Sequence, residues 1–293
     1  MTQTKDLTSV GLLTVLALIW GTSFILIKKG LVAFSAGEVG SLRVAFASLF
    51  VLPIALVKLK GLSSTDYFKL LLSGMVGIFI PSFLFSYAET KIDSSIAGVI
   101  NSLTPIWTMI IGALFFLQRF RGAAIVGTLI GFGGTLVLIM ANAGNAFGGI
   151  SGYSLYVVLA TLLYGANLNL IKYKIPHLPS LTITTVSVML LGPFALAYLF
   201  GFTQFLPTLI RVEGAWKSFG YVAILGLMST AVATVIFNKL IKTTSPLFSS
   251  SVTYLIPIVA VMWGVLDGEH LYLGHYLGMV AIVGGVYLAN RKK

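Results

Sequence analysis

Along the 293 residues, apolar runs of roughly 20 residues alternate with short breaks that hold most of the charge. A hydrocarbon layer about 30 Å thick needs about 20 apolar residues of helix, each rising about 1.5 Å. Reading the runs between charge clusters and Pro/Gly breaks predicts ten helices, at about 7 to 27, 38 to 57, 67 to 88, 94 to 117, 122 to 141, 152 to 171, 181 to 203, 217 to 238, 246 to 266 and 272 to 289. The pattern is that of an all-α polytopic membrane protein. Composition agrees: 57% of residues are hydrophobic, 9% are charged and the mean hydropathy is +0.99, which excludes a water-soluble globule. The first run is too long for a signal-peptide core and lacks a basic leader and a small-residue cleavage site, so a retained helix is expected.

A formal charge of +11 invites a nucleic-acid reading, but the basic residues sit in short loops between apolar runs. They report orientation in the bilayer instead. An even number of helices puts both termini on one side. With that side cytoplasmic, the inner segments hold Lys5, Lys58, Lys60, Lys69, Arg119 and Arg121, then Lys172, Lys174, Lys239, Lys242 and the closing Arg291, Lys292 and Lys293. Only Lys28, Lys29, Arg43, Lys91, Arg211 and Lys217 remain outside. An inner-membrane protein with both ends cytoplasmic is expected. The absence of cysteine removes disulfides, thiol catalysis and cysteine-based zinc sites. With no HExxH, no GxSxG and no close aspartate pair in a span, neither an intramembrane enzyme nor a cofactor or metal site is expected.

The second half reads as a diverged copy of the first. "SLTPIWTMIIGALFF" (102 to 116) aligns with "YLIPIVAVMWGVLDG" (254 to 268), pairing Leu103 with Leu255, Pro105 with Pro257, Ile106 with Ile258 and Gly112 with Gly264. Gly122 then meets Gly274, and Gly133-Gly134 meets Gly284-Gly285 after one gap. Near the start of each half, "WGTSFILIK" (20 to 28) meets "YGANLNLIK" (164 to 172). The expected units are residues 1–145 and 146–293. Five helices per unit is odd, so the second copy enters the membrane upside down. Inverted repeats of this kind let two exchanged arrangements open a midplane site to one side and then the other, although some channels share the topology.

These residues resemble the EamA-type branch of the drug/metabolite transporter superfamily over nearly the whole chain, about 10 to 290. The resemblance rests on "WGTSF" followed by Lys28, on "SLRVAFASLFVLP" (41 to 53), on "SYAETKIDSSIAGVINSLTPIWTMIIGALFF" (86 to 116) and on the closing "GGVYL" (284 to 288). It implies ten helices in two inverted repeats, and export or exchange of small metabolites through a cavity lined chiefly by helices 1, 3, 4, 6, 8 and 9. The family often carries Glu after both the fourth and ninth helices; here those places hold Gln118 and Glu269.

Polar groups in a span turn away from lipid. Ser86 and Tyr87, then Asn101, Ser102 and Thr104, and later Ser249, Ser250, Ser251, Thr253 and Tyr254 form three polar patches. Hydroxyls can bond back to their own helix, whereas one carbonyl cannot satisfy an amide, which favours Asn101 as a cavity residue. Asn101 and Thr253 are paired by the repeat and lie one turn before prolines that free a backbone carbonyl. Trp20 and Tyr164 are equivalent, as are Ser23 and Asn167, and Phe24 shares the Trp20 face. Lys28, two turns beyond Trp20, either snorkels to the headgroups or faces the cavity mouth to attract a carboxylate. Lys172 is its counterpart, with Lys239 a further candidate.

Acids are scarce. Glu38 and Arg43 could pair at the start of helix 2, Glu89 closes helix 3 near Lys91 and Asp93, and Asp267 and Glu269 follow helix 9. No carboxylate falls near the middle of a span, which favours facilitated export or exchange over ion-driven pumping. His270 and His275 are expected in an interfacial loop. The candidate substrate-binding residues are therefore Trp20, Ser23, Phe24, Lys28, Tyr87, Asn101, Tyr164, Asn167, Thr253 and Tyr254. The partners expected are a small amphipathic solute, with amino acids leading, and the lipid bilayer, with no nucleic acid. A flippase for a lipid or lipid precursor is the alternative, and a channel a weaker one.

Overall fold

The computed structural model describes residues 2–140, 152–266 and 272–291. Among these, eight helices are long and apolar enough to cross a membrane, and two shorter apolar ones, Gly122–Leu138 and Pro246–Val259, stand where the fifth and ninth are predicted. They are numbered α1 (Thr2–Gly30), α2 (Ala36–Lys58), α3 (Ser64–Ala88), α4 (pieces Ser94–Asn101 and Thr104–Phe116), α5 (Gly122–Met140), α6 (Ser154–Lys174), α7 (Ser180–Phe202), α8 (Ala215–Thr243), α9 (pieces Pro246–Ser250 and Val252–Leu266) and α10 (Leu273–Asn290). No strand occurs among the described residues. Asp267, Glu269 and His270 lie outside them.

Burial is arranged for lipid. Leu114, Phe115 and Val280 are largely exposed, while Ser41, Ser86, Thr161 and Thr184 are fully buried. Backbone groups are satisfied inside each helix, and capping completes the ends that meet water. At the start of α2 the Ser35 backbone N–H and hydroxyl donate to Glu38 Oε2 at 2.7 and 2.9 Å, and the Glu38 N–H donates back to Ser35 Oγ. Ser63 and Asp66 repeat the device at α3. Glu38 is thereby used as a cap and is not the partner of Arg43. Its carboxylate satisfies donors three residues away that a five-residue spacing could not rival. His275 is also not in a loop: it is buried in the first turn of α10, where Nδ1 accepts the Tyr272 N–H at 2.8 Å.

α5 and α10 pack backbone to backbone. A Cβ on Gly285 would stand 2.4 Å from the Gly131 nitrogen, and one on Gly127 would stand 2.3 Å from that of Ala289. Each of the two glycine pairs aligned by the repeat is split. Gly134 and Gly285 face the neighbouring helix of this chain, while Gly133 and Gly284 face open space.

Among the described residues, four helices depart from regular geometry, and all four border the centre. α4 is interrupted at Ser102–Leu103 and α9 at Ser251, both expected to be continuous. Pro105 removes the N–H that Asn101 O would accept, and the Thr104 hydroxyl supplies that acceptor with a bond of 2.8 Å. α3 and α8 contain π-helical stretches, Met75–Phe79 and Leu225–Val232. Under the alignment that pairs Pro105 with Pro257, the first stretch falls within the second. Such wide turns turn carbonyls and side chains away from the regular helical ladder and are common at functional sites.

Candidate functional site

Side chains from α1 to α4 and α6 to α9 surround a cavity of about 1010 Å³, its opening included. None of the described residues of α5 or α10 lines it. The resemblance named helices 1, 3, 4, 6, 8 and 9; α2 adds Arg43, and α7 adds Thr184 and Ser187.

Two aromatic pairs line the cavity. The Trp20 ring stands edge-on to Phe237, 4.8 Å between centroids, and its Nε1–H donates to the Ser229 carbonyl in the π stretch of α8 at 3.0 Å. Tyr164 lies nearly parallel to Phe85 at 6.1 Å. Phe85 and Phe237 are equivalent in the repeat alignment, as are Trp20 and Tyr164, so equivalent residues pair between α1 and α8 and between α6 and α3, with different ring geometry. These contacts fix ring positions that simple apolar packing would leave looser.

The polar lining is placed as deliberately. The Ser23 hydroxyl bonds back to the Trp20 carbonyl at 2.6 Å, and Asn167 Oδ1 accepts from Ser73 Oγ at 2.7 Å. Asn167 needs the π stretch of α3 to offer glycine, because a Cβ on Gly77 would lie 2.1 Å from its Nδ2. Asn238 Nδ2 donates to Thr184 Oγ1 at 2.8 Å. Asn101 is different. Its Oδ1 has only a 3.5 Å approach from the Thr104 hydroxyl, and no acceptor for its NH2 occurs among the described residues. The hydroxyls of Ser187 and Ser229 are likewise buried without a partner. Arg43 reaches the cavity from α2, donating Nε–H to Thr230 Oγ1 at 3.2 Å.

Of the ten residues singled out in the sequence, Trp20, Ser23, Phe24, Asn101, Tyr164, Asn167 and Thr253 line this one space. Three stand elsewhere. Lys28 projects from the end of α1 with its side chain 59% exposed, and Nζ is 3.5 Å from Asp93 Oδ1. Tyr87 is exposed beside a shallow pocket with Phe83 and Tyr156, its hydroxyl 3.5 Å from that of Tyr198. Tyr254 is buried between α9 and α5, where its hydroxyl donates to the Thr128 carbonyl at 2.9 Å and its ring covers Gly131. One residue along a helix turns about 100°; that separates Tyr254 from the cavity-facing Thr253. Most of the predicted polar patches bond within their own turn, as Ser86 does to Ser82 and Ser250 to Leu247.

Charged groups mark the two ends. Lys172 Nζ, on α6, donates to the carbonyls of Ile241 and Lys242 at 3.0 and 3.1 Å and also to that of Thr244, tying α6 to the end of α8. Its sequence counterpart Lys28 makes no such tie. Lys239 is exposed. Glu89, the first residue beyond α3, is buried; one carboxyl oxygen accepts from Ser94 Oγ at 2.8 Å and the other has no partner. Burial pushes this carboxyl up to about 8, against the Ser94 hydrogen bond and the charges of Arg43 and Lys28.

Comparison with known proteins agrees with this architecture. The profile of the EamA-like transporter family matches residues 7–140 and again residues 151–291. An uncharacterized transporter of Archaeoglobus fulgidus is 29% identical over 94% of this chain and 95% of its own. The uncharacterized inner membrane transporter YedA of Escherichia coli K12 is 25% identical, covering 97% and 90%. A probable amino-acid metabolite efflux pump of Salmonella typhimurium is 27% identical, covering 92% and 90%. A crystal structure with 16% identity superposes with a TM-score of 0.73 over 96% of both chains, which supports the fold alone. Matched in both halves and built from membrane-crossing helices around a central cavity, the chain belongs to the EamA-like transporter family.

Proposed function

We propose that the protein is an inner-membrane carrier that exports or exchanges small amphipathic metabolites, amino acids first among them, by alternating access through the central cavity. The observation that carries this reading is the composition of the walls. Two aromatic pairs offer apolar surface, while the NH2 of Asn101 and the hydroxyls of Ser187 and Ser229 are polar groups without partners among the described residues. A solute with one apolar and one polar end matches both kinds of surface. The printed name of the Salmonella relative favours the amino-acid class.

Two inverted units, 1–145 and 146–293, are supported by the double family match and by the pairing of equivalent aromatic residues. The lysine bias supports cytoplasmic termini, and the E. coli relative's name supports the inner membrane. In that orientation the Lys172 tie sits at the cytoplasmic end. No acid is among the described residues that line the cavity, which favours exchange or downhill export over proton or sodium coupling. A flippase needs a groove open to the bilayer, and walls drawn from eight helices favour a solute.

Counterflow in proteoliposomes tests the reading, with unlabelled amino acids inside, the labelled acid outside, and the proton gradient collapsed. Transient accumulation of label is expected. Its absence for every amino acid would turn the assignment towards lipids or other metabolites.

A further inference from the structure

We propose that Arg43 is the group in the cavity that reads a solute carboxylate, a specificity-determining contact that rests on the carrier reading above. Arg43 lies two turns into α2 and lines the cavity. A guanidinium has five N–H donors in a planar fork. The protein uses one of them here, the Nε–H bond to Thr230 Oγ1 at 3.2 Å. The ion pairs among the described residues are Lys28–Asp93 and His177–Asp66, so no described carboxylate lies within 4.0 Å of Arg43.

A single bond to a neutral hydroxyl does not require a charge, and a buried cation without a counter-ion is costly. What the arrangement does suit is an anion that arrives from the cavity and takes the open edge of the fork with two parallel N–H bonds. Glu89 stands within electrostatic reach of Arg43. Burial favours the uncharged form of its carboxyl against the pull of Arg43, which weakens it as a counter-ion. The neighbouring Trp20 and Tyr164 walls then offer apolar surface to the rest of the solute. Lys28 is poorly placed for this role, being exposed to solvent and paired with Asp93.

The test is ligand-induced thermal stabilisation of the purified full-length protein. The probes are L-phenylalanine, L-leucine and L-threonine, each beside its amide and its decarboxylated amine. The acids are expected to stabilise the wild type and K28Q alike, and the amides and amines weakly. R43Q should weaken the acids by roughly tenfold or more, as expected for losing a charge-assisted bond, while changing the amides less than about twofold. R43K keeps the charge but loses the fork, so it should retain the preference for acids at reduced affinity; it carries the test if R43Q does not fold. Equal binding of acids and amides to the wild type, an acid preference that survives in R43Q, or no stabilisation by any acid would each overturn the proposal. Counterflow separates this from the carrier reading. Acid-selective binding without counterflow removes the carrier and keeps Arg43, whereas counterflow of acids and amides alike removes Arg43 and keeps the carrier.

Discussion

Asn101 sits at the broken centre of α4, where its backbone carbonyl is satisfied by Thr104 and its side-chain amide is left facing the cavity. Replacing it with alanine removes a donor that no protein group uses. N101A is therefore expected to lose transport by about tenfold, the worth of one good hydrogen bond, with little change in thermal stability. A wild-type rate would take Asn101 out of the site. Asn101, Trp20 and Tyr164 were legible because amides and large amphipathic rings deep in a span have few other uses. Arg43 was not. Placed seven residues after Ala36, it looked like one more charge near a helix start, and Glu38 offered a nearby acid. The small residues that surround it, Gly40, Ser41, Ala45 and Ala47, are the signal that α2 is buried there, and they are indeed buried. For Lys28 the sequence allowed two directions, and the end of α1 gives its long chain free access to solvent and Asp93.

At the scale of the helices, ten segments and their order could be read from hydropathy alone, because a bilayer demands length and apolarity and little else. Breaks and π stretches could not. Proline announces a weakened helix but not which residue bends, and nothing in Met75–Phe79 or Leu225–Val232 signals a wider turn. The sequence aligns the two glycine pairs but does not tell which member of each meets a neighbouring helix. Geometry separates their members: Gly285→Leu must push α5 and α10 apart, whereas Gly284→Leu points into open space. The first is expected to destabilise the protein by about 1–3 kcal/mol, as overpacking does, and the second to be nearly neutral in the same melting measurement. Equal effects would mean that the α5–α10 contact is not close.

For the whole molecule, the two halves share one aromatic pairing of equivalent residues but differ at their ends. Lys172 is tied to three carbonyls of α8 and the turn that follows it, while the equivalent Lys28 holds one long, exposed ion pair. In an alternating carrier with the proposed orientation, the tie at Lys172 has to break when the cytoplasmic end opens. K172M is then expected to favour that opening. The odd helix count predicts an inverted relation of the halves. The state of each end was not legible, because both lysines occupy the same place in the sequence pattern. The natural absence of cysteine makes this measurable without background. The most direct measurement is labelling of a single cysteine at Ser229, a cavity hydroxyl without a partner, by a membrane-impermeant thiol reagent applied separately to right-side-out and inside-out vesicles. A carrier that opens its cavity to each side in turn should be labelled from both, more slowly with transported solute present, and K172M should speed labelling from the cytoplasmic face. Labelling from one side only, or from neither, would contradict alternating access through this cavity.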